Sequence, residues 1–251
     1  MKSFEQNHFV LSVSLKKDKI EDFSIYPFCL PLVANLNTVE FNPSVTFIVG
    51  ENGSGKSTLL EALAISLGFN PEGGTKNFHF NTRTSHSDLN SYLRIVKGIR
   101  RCKTGFFLRA ESFFNVATEI EKLDEGSSLG RPIIDSYGGV SLHEQSHGES
   151  FFALMKNRFG SNGLYILDEP EAALSPSRQM AMISLVHQLT NAGCQFIIAT
   201  HSPIILSYPN ATIFEIREKG LMKTKYEETD TYSVTKRYLN NYNSMLNELL
   251  K

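Results

Sequence analysis

Residues 44–60 read SVTFIVGENGSGKSTLL. Residues 45–49 form a largely apolar, β-branched-rich run, which predicts a strand buried on both faces. Gly50, Gly55, Lys56 and Ser57 then fill the pattern G-x-x-x-x-G-K-S. Over residues 58–67 the apolar positions 59, 60, 63, 64 and 67 have helical spacing, and Gly68 closes the run. Strand, glycine-rich turn and helix in this order form the setting a phosphate-binding loop requires. The glycines let successive N–H groups curl toward phosphate oxygens beside the positive end of a helix. Lys56 supplies a cation for the β- and γ-phosphates, and the Ser57 hydroxyl is a ligand for Mg²⁺. The stretch therefore predicts a bound nucleoside triphosphate.

Length and composition limit the rest. The chain has 251 residues, 41% of them hydrophobic, enough for one large α/β domain. Its 25 basic and 26 acidic residues leave a formal charge of −1, so no global basicity advertises nucleic acid. No run approaches the ~18 apolar residues of a membrane span, and MKSFEQNHFV does not read as a signal peptide. Cys29, Cys102 and Cys194 lack metal-ligand spacing and read as buried free thiols in a reducing, cytoplasmic setting.

Upstream of the loop, residues 8–15 (HFVLSVSL) alternate like a strand with one solvated face. A proline-bounded extended segment, YPFCLP at 26–31, and a short strand at 38–41 before an Asn42-Pro43 turn follow. Tyr26 and Phe28 are both candidates to lie under the base, or both are packing aromatics. Residues 70–104 turn polar and predict loops and short helices. Arg94, Lys97, Arg100, Arg101 and Lys103 cluster there without an acid, as a solvated helix face or as a patch for nucleic acid, an acidic partner or the triphosphate itself. GFFL at 105–108 predicts a strand leading to Arg109-Ala110-Glu111, and residues 113–123 a helix. Residues 126–139 predict a glycine-rich loop.

Further on, Ser146 and Glu149 fit the S-x-x-E capping box of a helix whose apolar face is Phe151, Phe152, Leu154, Met155 and Phe159. LYIL at 164–167 predicts a buried strand that delivers Asp168 and Glu169 at its C-terminal end, where open α/β sheets bind ligands. Asp168 is placed to hold Mg²⁺, and Glu169 to orient or deprotonate water. Ser175-Pro176 starts another helix, to about residue 192. QFIIAT at 195–200 predicts the next strand, delivering His201. Residues 213–216 add a strand, and 234–250 a terminal, mostly polar helix.

Taken in order, the phosphate loop, SHGES, LYILDEPE, AALSP and THSP resemble the ATP-binding-cassette (ABC) ATPases. Within them they are most similar to a group of small "predicted ATPases", or AAA family ATPases, akin to the RecF, Rad50 and SMC heads. The resemblance implies a P-loop NTPase fold: a three-layer α/β core, an N-terminal antiparallel β lobe and a helical signature lobe. It implies one domain over 1–251, with the helical or irregular lobe at approximately 70–160. Gly50, Glu51, Asn52, Gly53, Ser54, Gly55, Lys56, Ser57 and Thr58 correspond to the Walker A loop, and Asp168 with Glu169 to Walker B. Ser146, Gly148 and Glu149 fall in the signature, which in this family meets the γ-phosphate of ATP held by a second subunit. Ala173 to Pro176 corresponds to the D-loop, and His201 to the switch histidine. Lys56, Glu169 and His201 are thus the implied catalytic residues, Ser57 and Asp168 the metal ligands, and ATP, Mg²⁺ and an ATP-dependent homodimer the implied partners.

Two departures stand out. His147 replaces the first glycine of the signature LSGGQ, and no glutamine lies between Ser57 and Glu144, so Glu111 is the candidate for the Q-loop position. Both departures count against a transporter motor subunit. The absence of a heptad run excludes a long coiled-coil arm. A DNA-repair or genome-defence ATPase without that arm remains an alternative to a stand-alone ATP-driven dimer. Glu169 disfavours a switch without turnover, and the signature disfavours a small-molecule kinase.

Overall fold

A computed structural model describes residues 8–41, 44–76, 87–125, 132–218 and 220–251. Two sheets form its frame. The smaller is antiparallel, in the order β2-β1-β4, from β1 (Val10–Leu15), β2 (Val39–Glu40) and β4 (Leu93–Lys97). The larger runs β5-β6-β7-β3-β8-β9. It comprises β3 (Val45–Val49), β5 (Thr104–Arg109), β6 (Gly163–Asp168), β7 (Gln195–Ala199), β8 (Thr212–Arg217) and β9 (Gly220–Thr224). All of its neighbours pair in parallel except β8 with β9.

Short helices α1 (Pro31–Ala34) and α3 (Leu89–Tyr92) flank the phosphate-loop helix α2 (Lys56–Ser66). The helices α4 (Phe113–Glu125), α5 (His147–Arg158) and α6 (Pro176–Asn191) come from the middle of the chain. After them come α7 (Pro203–Leu206), α8 (Asp230–Asn240) and α9 (Tyr242–Leu249).

The period-2 alternation of the parallel strands gives the molecule two apolar cores, one on each sheet face. Phe47, Phe106, Leu108, Tyr165, Leu167 and Ile198 pack toward Phe113, Phe151 and Met182 of α4, α5 and α6. From the same strands Ile48, Phe107, Ile166 and Ile197 pack the other way, toward Leu59 and Leu63 of α2 and Val10 and Val13 of the small sheet. Each such fully buried side chain contributes about 1.5–3 kcal/mol. The two sheets are also joined through Gln195, whose buried amide accepts from the N–H groups of Phe9 and Val10 at 2.9 and 3.0 Å and donates to the Val10 carbonyl at 2.8 Å.

Several expectations change. The basic stretch is no helix: Arg94 and Lys97 lie on β4, an edge strand, because Leu93 and Ile95 complete the face that β1 buries. The strand β9 was not anticipated, and the terminal helix is broken at Asn241 into α8 and α9. Of the three free cysteines only Cys194 is buried; Cys29 is exposed. Residues 77–86 and 126–131 of the expected polar and glycine-rich loops, and the Asn42-Pro43 turn, lie outside the described residues.

Register positions the site. Arg109 of β5 stands opposite Asp168 of β6, Asp168 opposite Ala199 of β7, and Ala199 opposite Ile48 of β3. The segments that leave these strands, carrying Lys56, Glu111, Glu169 and His201, therefore emerge along one edge of the sheet.

Candidate nucleotide site

The loop after β3 turns on Gly53 (φ 76°) and Gly55 (φ 101°), left-handed conformations that residues with a Cβ avoid. It is braced from outside by α1, where the Leu32 N–H donates to the Ser54 carbonyl at 3.2 Å. Lys56 opens α2 and is nearly buried; its ammonium donates to the Gly50 and Glu51 carbonyls, both at 2.9 Å. Burial pulls this ammonium below the ordinary lysine range, and the charges of Glu169, Asp168 and Glu171 pull the other way. A phosphate at the loop would give Lys56 a stronger partner than its own carbonyls.

Opposite Lys56 stand the acids. The Ser57 hydroxyl donates to Asp168 Oδ1 at 3.0 Å. Asp168 is buried, and burial pushes its carboxyl up to about 6 despite Arg109 and the Ser57 bond, which favour the charged form. Arg109 was not singled out from the sequence. Its guanidinium meets Glu61 of α2 at 2.6 Å, Asp168 Oδ2 at 3.5 Å and Glu111 at 3.6 Å. Glu111 itself is exposed and lines the cleft.

Glu169 sits just past β6 in a left-handed conformation (φ 50°), rare outside glycine, with its N–H held by the Ala199 carbonyl at 3.0 Å. That turn aims its carboxylate at His201, whose Nε2 is 3.3 Å away. Two further side chains fix the histidine segment, and neither was foreseen. Glu171 accepts from the His201 N–H and, at 2.8 Å, from the Thr200 hydroxyl. Gln179 accepts from the Ser202 hydroxyl at 2.6 Å. The second glutamate of the DEPE string was the one available signal.

The signature residues stand elsewhere. Ser146 caps α5, its N–H and hydroxyl donating to Glu149 Oε2 at 3.2 and 2.7 Å, while Arg178 of α6 holds Oε1 at 3.2 Å. Gly148 is there for space: a Cβ would come within 2.8 Å of the Ala173 carbonyl. Among the described residues Ser146, Gly148 and Glu149 line neither pocket at the sheet edge. One pocket, of about 400 Å³, runs from Tyr26 and Leu30 past residues 52–58 to Glu111 and Glu169. The other, about 250 Å³, shares Ser57, Glu111 and Glu169 with it and is backed by Arg109 and Asp168. Of the two candidate aromatics, Tyr26 is exposed at the cleft mouth; Phe28 is buried, edge-on to Tyr92 at 4.8 Å between centroids.

The donor set fits a Mg²⁺-bound triphosphate. A desolvated lysine, a glycine-turned loop at a helix N-terminus, and a hydroxyl paired with one carboxylate suit an ion that keeps waters and phosphate oxygens as its other ligands. Among the described residues no cluster of three or more His, Cys, Asp or Glu forms an all-protein metal cage.

Fold and site together define a P-loop nucleotide-binding domain with the fold of ATP-binding cassettes. The chain belongs to the AAA domain family, whose model matches residues 19–158, over half of its length; residues 145–206 also match the AAA ATPase domain. It is 26% identical over 219 residues to the energy-coupling factor transporter ATP-binding protein EcfA2 of Methanospirillum hungatei, covering 78% of this chain and 51% of that protein. To the zinc import ATP-binding protein ZnuC of Mannheimia succiniciproducens it is 25% identical over 169 residues, 66% of this chain and 60% of that one. It thus spans between half and two thirds of these relatives. Among solved structures, MJ1267, an ATP-binding cassette of an ABC transporter, superposes with a TM-score of 0.53 at 16% identity. The match covers 94% of this chain and 98% of that one, and shows a shared fold. No described helix is long and apolar enough to cross a membrane.

Proposed function

We propose that this chain is a cytoplasmic ATPase, folded as one domain, that dimerises around ATP, each nucleotide lying between the phosphate loop of one copy and Ser146 of the other. The observation that carries the reading is the split just described. Lys56, Ser57, Asp168, Glu169 and His201 share one sheet edge, whereas the anion-receptive cap of α5 lies outside both pockets.

In this reading residues 50–58 bind the phosphates, Lys56 offsets their charge, and Ser57 with Asp168 holds Mg²⁺. Held there, the metal would supply neutralisation of the phosphate charge. Glu169 orients a water and accepts its proton, and His201, 3.3 Å away, orients Glu169 and senses the γ-phosphate. Ser146, with Gly148 and Glu149 shaping the cap, closes on that phosphate from the second copy. For this Ser146 has to give up its bonds to Glu149.

The test uses Glu169→Gln, which keeps size but loses the proton acceptor, and Ser146→Arg. Glu169→Gln should bind ATP, lose hydrolysis by about 10²-fold or more and accumulate as a dimer. Ser146→Arg should bind ATP as a monomer and not turn over. Mixing Ser146→Arg with Lys56→Ala restores one intact composite site, so part of the activity should return. Full activity from a strictly monomeric Ser146→Arg chain, by light scattering and phosphate release, would falsify the shared site.

A second reading concerns effectors. Among the described residues no carboxylate pairs with Arg94, Lys97, Arg100, Arg101 or Lys103, and all five are exposed. Cations without a carboxylate partner, on β4 and the segment after it, suit a nucleic-acid backbone, in line with a repair or defence role; Arg100 among them also donates to Asn162 and lies over the Phe9 ring. Reversing Arg100 and Arg101 to Glu should then weaken duplex DNA binding and flatten its salt dependence; no salt-dependent binding by the unaltered chain, with or without ATP, retires it. The names of the relatives suggest a transporter's ATP-binding subunit instead, against which the missing glutamine and the SHGES signature count.

A further inference from the structure

Arg109 has no role in the site described so far, yet it has the most crowded electrostatic position there. The β5–β6 register sets it beside Asp168, and the Ala110 N–H reinforces that pairing by donating to the Asp168 carbonyl at 3.3 Å. The guanidinium is only 18% exposed and touches carboxylates from three elements: Glu61 of α2, 13% exposed; Asp168 of β6, 6%; and Glu111, 85%. We propose that Arg109 is a positioning residue for the metal carboxylate: anchored on Glu61, it holds Asp168 Oδ2 so that Oδ1 stays turned to Ser57. This rests on the reading that Ser57 and Asp168 hold Mg²⁺.

The division of labour between the two oxygens supports it. Oδ1 has the Ser57 hydroxyl at 3.0 Å, and Oδ2 faces Arg109 Nε at 3.5 Å. A buried carboxylate with one oxygen unpartnered is free to rotate about its Cβ–Cγ bond, and a metal ligand that rotates binds poorly. The short bond to Glu61, 2.6 Å, fixes the guanidinium. Because Glu61 lies in the helix that Lys56 and Ser57 begin, the bond also ties the acid of β6 to the phosphate loop. Glu61 takes Nη1, and the buried Nε, which has no hydrogen bond of its own, is left at ion-pair distance from the neighbouring acid. Planarity lets one arginine address separate carboxylates from different edges, which a lysine ammonium cannot do.

The experiment titrates Mg²⁺ into the full chain with a fluorescent ATP analogue and reads binding, with an EDTA arm for metal-free affinity. Arg109→Gln should raise the half-saturating Mg²⁺ by about tenfold or more, the range for outer-shell partners of metal ligands, and leave binding in EDTA unchanged. If Arg109→Gln does not fold because Glu61 is left buried and unpaired, Glu61→Gln/Arg109→Gln removes both charges and should show the same rise. Arg109→Lys should recover only part of the loss. An unchanged Mg²⁺ dependence in either glutamine variant, with a lower Tm alone, overturns the proposal and leaves Arg109 a structural ion pair. Asp168→Asn separates the two readings: if it too leaves the Mg²⁺ requirement unmoved, the metal assignment fails, not only the role of Arg109.

Discussion

At the C-terminal edge of the parallel sheet, side chains delivered by β3, β5, β6 and β7 meet one another within a few ångströms. At the N-terminus of α5, Ser146 and Glu149 face solvent, and among the described residues their side chains bond each other and Arg178. Both places are suited to phosphate, the first by a turned loop, a buried lysine and the Ser57–Asp168 pair, the second by a capped helix end. The first is largely assembled before any ligand arrives: Lys56, Ser57, Asp168 and the His201 backbone already have hydrogen-bond partners, while Ser54 Oγ, Arg109 Nε and His201 Nε2 are buried without one. The second has its hydroxyl committed to its own carboxylate. A finished site binds; an unfinished one has to be completed by what it meets.

The contrast breaks if damage to the two ends has the same effect. Lys56→Ala removes the buried cation, and affinity for a fluorescent ATP analogue should fall by about 100-fold, the scale of a charge-assisted bond in a desolvated site. Gly148→Ala damages the other end through sterics, since the new Cβ would sit 2.8 Å from the Ala173 carbonyl and push α5 off that segment. It should cost about 1–3 kcal/mol of stability and most of the ATPase rate, with nucleotide affinity unchanged. Equal loss of binding in both, at matched Tm, would mean that the two ends act as one site within a single copy.

The finished end was the more legible in the sequence, for a physical reason. The phosphate loop, Asp168-Glu169 and His201 each follow directly from a run of buried β residues, so local pattern and position in the sheet carry the same information. Arg109, Glu171 and Gln179 gave no such signal. Their partners lie 48, 30 and 23 residues away, and only the packing of β5 on α2, and of the turn after β6 and α6 on the segment after β7, brings them together. In sequence the arginine and lysine of β4 fit a solvated helix face as well as a binding patch, because charge alone does not distinguish helix from edge strand. In the fold they belong to an edge strand, where charge is the usual guard against pairing with another chain. The helical break at Asn241 and the short strand β9 depend on tertiary packing that periodicity does not encode.

A subtler test of the finished end is pH. Burial holds the Asp168 carboxyl up near about 6, so at pH 7 it is mostly ionised and at pH 5 mostly protonated. The proton competes with the metal for the same group. Apparent Mg²⁺ affinity, read by nucleotide fluorescence at fixed ionic strength, should therefore fall by about tenfold from pH 7 to pH 5. Asp168→Asn should bind metal more weakly at every pH and flatten that slope. A slope that survives the substitution would place the titrating group elsewhere, and the metal pair would no longer account for it.

The smallest effect lies at the mouth of the cleft, where the sequence left two aromatics open and the fold treats them differently. Phe28 is 6% exposed and packed on Tyr92; Tyr26 is 62% exposed and lines the pocket beside Asn52 and Gly53. An aromatic that is free on one face and faces a nucleotide cleft is placed to stack on a base, a contact of about 0.5–1.5 kcal/mol. Tyr26→Ala should accordingly weaken ATP binding by only a few-fold, with no change in Tm, since little area is uncovered. Phe28→Ala empties a core position and should cost about 3–5 kcal/mol of stability, seen as a lower Tm. Comparing ATP with inorganic triphosphate removes the base from the measurement. Tyr26→Ala should leave triphosphate affinity untouched, because the phosphate loop is intact. If the substitution weakens both ligands equally, Tyr26 braces the loop, and the base is held by some other group.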